Sequence, residues 1–308
     1  MSFVAAHSKL LIFLCWTTQT VLFCQTAVSA MVIASSAAAS LRKRLLQDGV
    51  KAYGTMLMSD SPAVAELMAG VGYEFVVVDH EHTTTNVQSG QHMLQAIGAA
   101  RSVTEPIVRL PSPNDPVYMK KVLDSLRLPG GVMVPMVENG QMAEDVVKSI
   151  RYPFQQPQSG MRGCAVPMVR ASGWGMETGR YLKKTMEDLL VVVQVESPTA
   201  VDNIGDIARV DGVDMIFLGP LDLSASIGKM AKFQDPEVKA LLSNAEEAVI
   251  GSGCMLGGFR PPGRDLNEMF HKAGYSLVAG SADMGLLRDV ALQDIKSATD
   301  ARKHNGMK

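Results

Sequence analysis

Four cysteines are all that the 308 residues contain, and no spacing among them suggests a zinc site. Cys15 and Cys24 fall in the first 40 residues, and Cys164 with Cys254 is too sparse a pair for a disulfide framework. Charge of one sign is also lacking: 29 Lys and Arg stand against 31 Asp and Glu, a net charge of −2. Without a broad basic field, nucleic acid and anionic membrane are excluded as expected partners. An anionic substrate must then be drawn in by local groups. No internal repeat or low-complexity block occurs after the N-terminus.

A long uninterrupted apolar run is missing too. Residues 1–40 form a hydrophobic extension ahead of a domain expected over 41–308. Lys9 precedes the run Leu10–Trp16, and a weaker run spans Val21–Cys24. Thr17, Thr18, Gln19, Thr20 and Gln25 interrupt them, so no stable membrane span is expected. Val28-Ser29-Ala30 offers a small-residue cleavage site for a secretory signal, while Met31 offers a second start. Both readings stay open. Met31 as the true start implies a cytoplasmic protein, and a genuine targeting peptide implies a secretory or organellar one.

What is present is rhythm. Apolar runs of strand length, 53–58, 75–79, 106–110, 131–137, 189–196, 215–219, 254–259 and 276–280, alternate with amphipathic stretches of helix length. Most of the runs are apolar throughout rather than alternating, as in parallel strands covered on both faces. The helical stretches are 63–69, 89–100, 117–126, 143–151, 200–208, 235–250, 265–273 and 283–301. Eight strand–helix pairs in order give an α/β fold, a single (β/α)8 TIM barrel, with an open doubly wound sheet as the alternative. One connection breaks the rhythm: residues 152–184 hold five glycines and three prolines, and a link of that length is expected to be functional or mobile.

Polar residues at the C-terminal ends of barrel strands read as catalytic candidates. Strand two ends in Asp79-His80-Glu81-His82, strand three carries Arg109, strand five ends in Gln194-Val195-Glu196, and strand six runs out to Asp222. Glu196 and Asp222 come from adjacent strands. Two carboxylates with water and substrate oxygens suit a hard divalent ion, though Asp222 can equally serve to cap the helix that follows. A carboxylate pair is also the glycosidase arrangement, but that reading explains Arg109 and His82 poorly. His80 and His82 share this rim. A neighbouring carboxylate would orient His82 and raise its basicity, as a general base needs; a metal ligand or loop histidine is the competing role. Arg109 needs an anionic partner, either a protein carboxylate or a substrate oxyanion, and the substrate is the expected one. None of the eight expected strands contains lysine, which removes the usual source of a Schiff-base nucleophile.

The motifs Asp79-x-Glu81-His82, Val108-Arg109, Lys120-x-x-Leu123-Asp124 and Val132–Val137 extend the pattern. So do Arg151-Tyr152-Pro153 followed by Arg162-Gly163, Gln194-Val195-Glu196, and the stretch from Gly212-Val213-Asp214 through Gly219-Pro220 to Asp222-Leu223-Ser224. In order and spacing the chain resembles the HpcH/HpaI family of class II, metal-dependent pyruvate aldolases. The resemblance implies reversible cleavage of a 4-hydroxy-2-oxo acid, of the 2-keto-3-deoxy sugar-acid type, to pyruvate and an aldehyde through a metal-stabilised enolate. It implies that Glu196 and Asp222 bind Mg²⁺, Mn²⁺ or Co²⁺, and that Gln194 and the backbone near Leu221 contact the pyruvate carboxylate. Arg109 would neutralise the enolate, and His82 paired with Asp124 would be the acid/base. It also implies a homo-oligomer, commonly a hexamer, with the last helix packed on a neighbour.

Three positions depart from the family pattern. Asp124 is followed by Ser125-Leu126-Arg127-Leu128-Pro129, with extra residues where the family has a small residue and glycine. Leu221 is bulkier than the usual small residue before the aspartate, and Met56 stands where an aromatic is common. Two other functions remain open at this level: a CoA-ester lyase of the citrate or malyl type, and a catalytically silent barrel.

Overall fold

The computed structural model describes residues 39–155 and 159–305. The signal-like runs, the cleavage site, Cys15, Cys24 and Met31 lie outside the described residues. Eight parallel strands close into one barrel in sequence order: β1 (Ala52–Leu57), β2 (Phe75–Asp79), β3 (Glu105–Arg109), β4 (Gly130–Val134), β5 (Leu189–Val195), β6 (Met215–Leu218), β7 (Met255–Phe259) and β8 (Leu277–Ala282). β8 pairs with β1, so the sheet closes and the open-sheet alternative is excluded.

The apolar strands have two masters. Phe75, Val77, Ile107, Met133, Leu190, Val192, Met215 and Phe217 fill the barrel interior. Val76, Val78, Val108, Val132, Val134, Val191, Val193 and Ile216 pack against the outer helices. Each fully buried side chain of this size stabilises the fold by roughly 1.5–3 kcal/mol. The alternation also sets which polar residues face inward. Counting in steps of two from Val77, Ile107 and Val192 lands on Asp79, Arg109, Gln194 and Glu196.

The lower end of the barrel is closed by the helix Leu41–Gln47, whose Leu41 and Leu45 are buried with the interior residues. Arg42 clamps it down with two bonds to Asp214, at 2.8 and 2.7 Å. The amide of Leu41 donates to Glu105 at the foot of β3. Burial pushes the Glu105 carboxyl up to about 7, against the Leu41 amide and Arg44. Because the folded-state value lies above the roughly 4.3 of an unfolded glutamate, the stabilisation is complete below that value. It is lost as pH rises through 7. The melting temperature should therefore fall between pH 5 and pH 8, and Glu105→Gln should remove part of that fall while leaving the pH 5 value unchanged.

Two expected helices take a different form. Residues 200–208 are split into Pro198–Asp202 and Ile204–Ala208. Asn203 sits at the break, where its side chain donates to the carbonyl of Glu138 and ties the break to the segment after β4. Over 265–273 the regular hydrogen bonding is a π turn at Glu268–Lys272. The long connection after Tyr152 is built rather than loose in its described part. Tyr152, Val166, Ala171 and Tyr181 form a small core of their own, and the helix Thr178–Glu187 leads into β5.

Candidate active site

The register pairs Asp79 directly with Arg109 at the ends of β2 and β3. Both are buried, and Asp79 accepts from Arg109 Nε and Nη2, each at 2.7 Å. Glu81 approaches Arg109 Nη1 at 3.0 Å. The anionic partner expected of a substrate is thus supplied by the protein, because a guanidinium on an inward strand position needs a carboxylate whether or not substrate is present. Asp79 also accepts the amides of Glu81 and His82, at 3.0 and 3.4 Å, and so fixes the loop after β2. The Phe259 ring lies 5.8 Å from the Arg109 guanidinium carbon.

Opposite this pair, Glu196 follows β5 and is buried. Its Oε2 accepts the Met136 amide at 2.9 Å, and its Oε1 accepts from Gln194 Nε2 at 3.1 Å. Met136 presents that amide from a left-handed conformation, φ 53°, which a non-glycine residue holds only at a cost of about 1 kcal/mol or more. Gln194 is fully buried, and its Oε1 has no partner among the described residues. Burial pushes the Glu196 carboxyl up to about 7, with the charges of Glu81 and Asp222 adding to the effect. Burial likewise raises Glu81 to about 7; Arg109 opposes the shift while Asp79 and Asp222 reinforce it. Asp222 stands in the first turn of the helix Pro220–Ser226. That helix begins at Gly219 with no side-chain cap, so the capping role open to Asp222 is not the one it takes.

Asp79, Glu81 and Glu196 surround one arginine, and Asp222, exposed at the rim, adds its charge to Glu81 and Glu196. A cation would relieve this excess, and Glu196 and Asp222 are the carboxylates not already tied to Arg109. Among the described residues no three His, Cys, Asp or Glu side chains converge as a ligand set. An ion here would therefore take two protein ligands and fill its remaining positions with water and substrate oxygens, a common arrangement for Mg²⁺. The Gln194 Oε1 without a partner marks a buried polar position beside it.

Gly219 is needed for this geometry. A Cβ added there would lie 2.7 Å from Glu196 Oε1 and 2.8 Å from its Cγ. Gly219→Ala should displace the carboxylate and weaken Mn²⁺ binding by roughly tenfold or more while the barrel stays folded. Calorimetric titration beside a far-UV spectrum checks both halves.

The other expected residues are placed unevenly. His82 is at the mouth with a largely exposed side chain, its Nε2 3.7 Å from Glu81 Oε1. His80 leaves the rim: it is buried, its Nδ1 lies 2.9 Å from the Tyr118 hydroxyl, and burial lowers its pKa to about 4. Asp124 is not brought to His82. It sits on the helix Pro116–Ser125, and its Oδ1 accepts from Arg162 Nη2 at 2.7 Å. Arg162 is fully buried over Tyr152, so this carboxylate is its counter-charge within the chain. Leu221 is exposed, its carbonyl accepting from the Ser224 hydroxyl. Sequence reasoning missed Asp79 and Glu81 as partners of Arg109. Strand parity and the adjacency of β2 and β3 are the signal that finds them.

The model of the HpcH/HpaI aldolase/citrate lyase family matches residues 53–289. A 4-hydroxy-2-oxo-heptane-1,7-dioate aldolase of Shigella sonnei is 36% identical over 249 residues, covering 81% of this chain and 91% of the relative. Among solved structures, an HpcH/HpaI aldolase/citrate lyase family protein from Burkholderia cenocepacia is 33% identical with a TM-score of 0.77, over 85% of this chain and all of the other. The citrate synthase SbnG is 27% identical with a TM-score of 0.69, over 87% of this chain and 99% of its own. The chain belongs to the HpcH/HpaI aldolase/citrate lyase family.

Proposed function

We propose that the protein is a metal-dependent carbon–carbon lyase that cleaves a 4-hydroxy-2-oxo acid to pyruvate and an aldehyde, and runs the reverse condensation. The observation that carries this reading is the mouth itself, where four neighbouring carboxylates share one arginine and two of them, Glu196 and Asp222, are left to hold a divalent ion. Mg²⁺, Mn²⁺ or Co²⁺ bound there would supply Lewis-acid stabilisation of the charge that develops on the 2-oxo acid. Gln194 offers its free Oε1 to the ion's water or to substrate. Arg109, held rigid by Asp79, keeps a fixed positive charge beside the oxygen that becomes negative. His82 takes the proton from the C4 hydroxyl as the C3–C4 bond breaks, and the electron pair passes into the pyruvate fragment. The Glu81 carboxyl stands beside the imidazole, 3.7 Å from Nε2. The role of base rests on His82, since Asp124 is committed to Arg162 within the chain.

The test is pyruvate release from a 4-hydroxy-2-oxo acid by the purified protein, followed by a coupled reductase. EDTA should abolish it and added Mn²⁺ should restore it. Release that ignores the chelator overturns the reading, and a strict acyl-CoA requirement moves it to the CoA-ester lyase alternative. The protein acts as a homo-oligomer in this reading. The helix Asp283–Asn305 exposes Leu287, Val290, Leu292 and Ile295, an apolar surface suited to a neighbouring copy. Leu287→Asp with Ile295→Asp should lower the sedimentation coefficient.

A further inference from the structure

A cavity of about 720 Å³ opens at the foot of β3 and β4, at the end of the barrel away from Glu196 and Asp222. Arg44, Arg127 and Arg170 line it, and Glu105 is the acidic side chain among its walls. The charges do not cancel. Glu105 lies 3.9 Å from Arg44 Nη2 and already accepts the Leu41 amide, while burial raises its pKa toward the neutral form. Arg44 Nε is buried with no hydrogen-bond partner among the described residues. Arg170 donates to the Ser125 carbonyl and has no carboxylate partner among the described residues. Burial and the nearby Arg127 charge lower its pKa. Arg127 reaches Glu177 at 3.4 Å, but both side chains are half exposed and such a pair is worth little. Leu94, Ile97, Leu126 and Pro129 add apolar surface to the lining.

A cavity of that size, lined by three guanidinium groups that are weakly paired or without a carboxylate and by apolar side chains, has the makings of a ligand site. We propose that it binds a small organic anion, a carboxylate or phosphate ester with an apolar body, whose charged head sits on Arg44 and Arg170. The site is separate from the catalytic mouth, so its ligand need not be a substrate. The extra residues after Asp124 build one of its walls: Leu126, Arg127, Leu128 and Pro129 all line it.

The full chain is titrated calorimetrically with phenyl phosphate and with benzoate, against benzyl alcohol and inorganic phosphate. Saturable binding of one anion per chain is expected for the first two, and none for benzyl alcohol. Inorganic phosphate should bind more weakly for want of the apolar contact. Arg170→Met and Arg44→Met should each weaken phenyl phosphate binding roughly tenfold, the loss of one charge-assisted contact. Asp222→Asn, in the other end of the barrel, should leave it unchanged. If Arg170→Met perturbs the segment it anchors, as near-UV dichroism would reveal, Arg44→Met decides. Binding abolished by Asp222→Asn and indifferent to both arginine variants overturns the proposal, as does the lack of saturable binding. A change in sedimentation coefficient on Arg170→Met, with no anion binding by the parent protein, assigns the cavity to a subunit contact and overturns it too.

Discussion

Glu196→Gln should leave the protein folded and reduce kcat/KM for retro-aldol cleavage by roughly 10³-fold, the scale of losing one preorganised electrostatic stabiliser. The substitution is nearly isosteric, and one oxygen remains to accept the Met136 amide. The new amide nitrogen then faces Gln194, whose Oε1 has no partner in the parent protein. A flip of the Gln194 amide presents that oxygen as acceptor and moves Nε2 to the partnerless position, so one unsatisfied buried group replaces another and none is added. Removing a carboxylate that burial pushes up to about 7 also relieves the apo protein of a desolvated charge above neutral pH. The metal-free melting temperature at pH 8 should therefore hold or rise while activity falls. A parallel loss of stability and activity would instead mark Glu196 as a structural residue.

Asp79→Asn should do the reverse in kind, costing fold and function together. Asp79 is fully buried and makes both bonds to Arg109, so the substitution strips a buried guanidinium of its bidentate partner. Breaking one side of a buried ion pair destabilises by about 3 kcal/mol. For a chain of this size that is a drop of roughly 6–10 °C in melting temperature. The amides of Glu81 and His82 lose a charged acceptor as well, and the rim loop loosens. Activity should fall about 100-fold through the displaced Arg109 and His82. Adding Arg109→Met to Asp79→Asn should restore part of the stability and none of the activity. Thermal melts and initial rates on the three variants separate the two effects.

The barrel was legible because its strands are buried on both faces. Val76 and Val78 serve the helices, Phe75 and Val77 the interior, so composition marks the strand without any alternation. Strand ends moved by a few residues; β4 stops at Val134, where Pro135 cannot donate to a ladder and Met136 turns to meet Glu196. Rim residues on strands were legible for the same reason, since parity decides which side chains point inward. Residues just past a strand are not bound by parity. His80 and His82 are two apart, yet His80 packs behind the barrel against Tyr118 and His82 lies open at the mouth. Asp124 shows a different failure. Its partner Arg162 is 38 residues away in a connection without helix or strand periodicity, and only the packing of Tyr152 and Tyr181 around that arginine reveals the pair.

The most direct test of the metal site is a titration of the apo protein with Mn²⁺ in the presence of pyruvate, followed by electron paramagnetic resonance of the free ion. One ion should bind per chain, pyruvate should tighten it, and both Glu196→Gln and Asp222→Asn should abolish it. Undiminished Mn²⁺ binding in either variant would contradict the assignment of these two carboxylates.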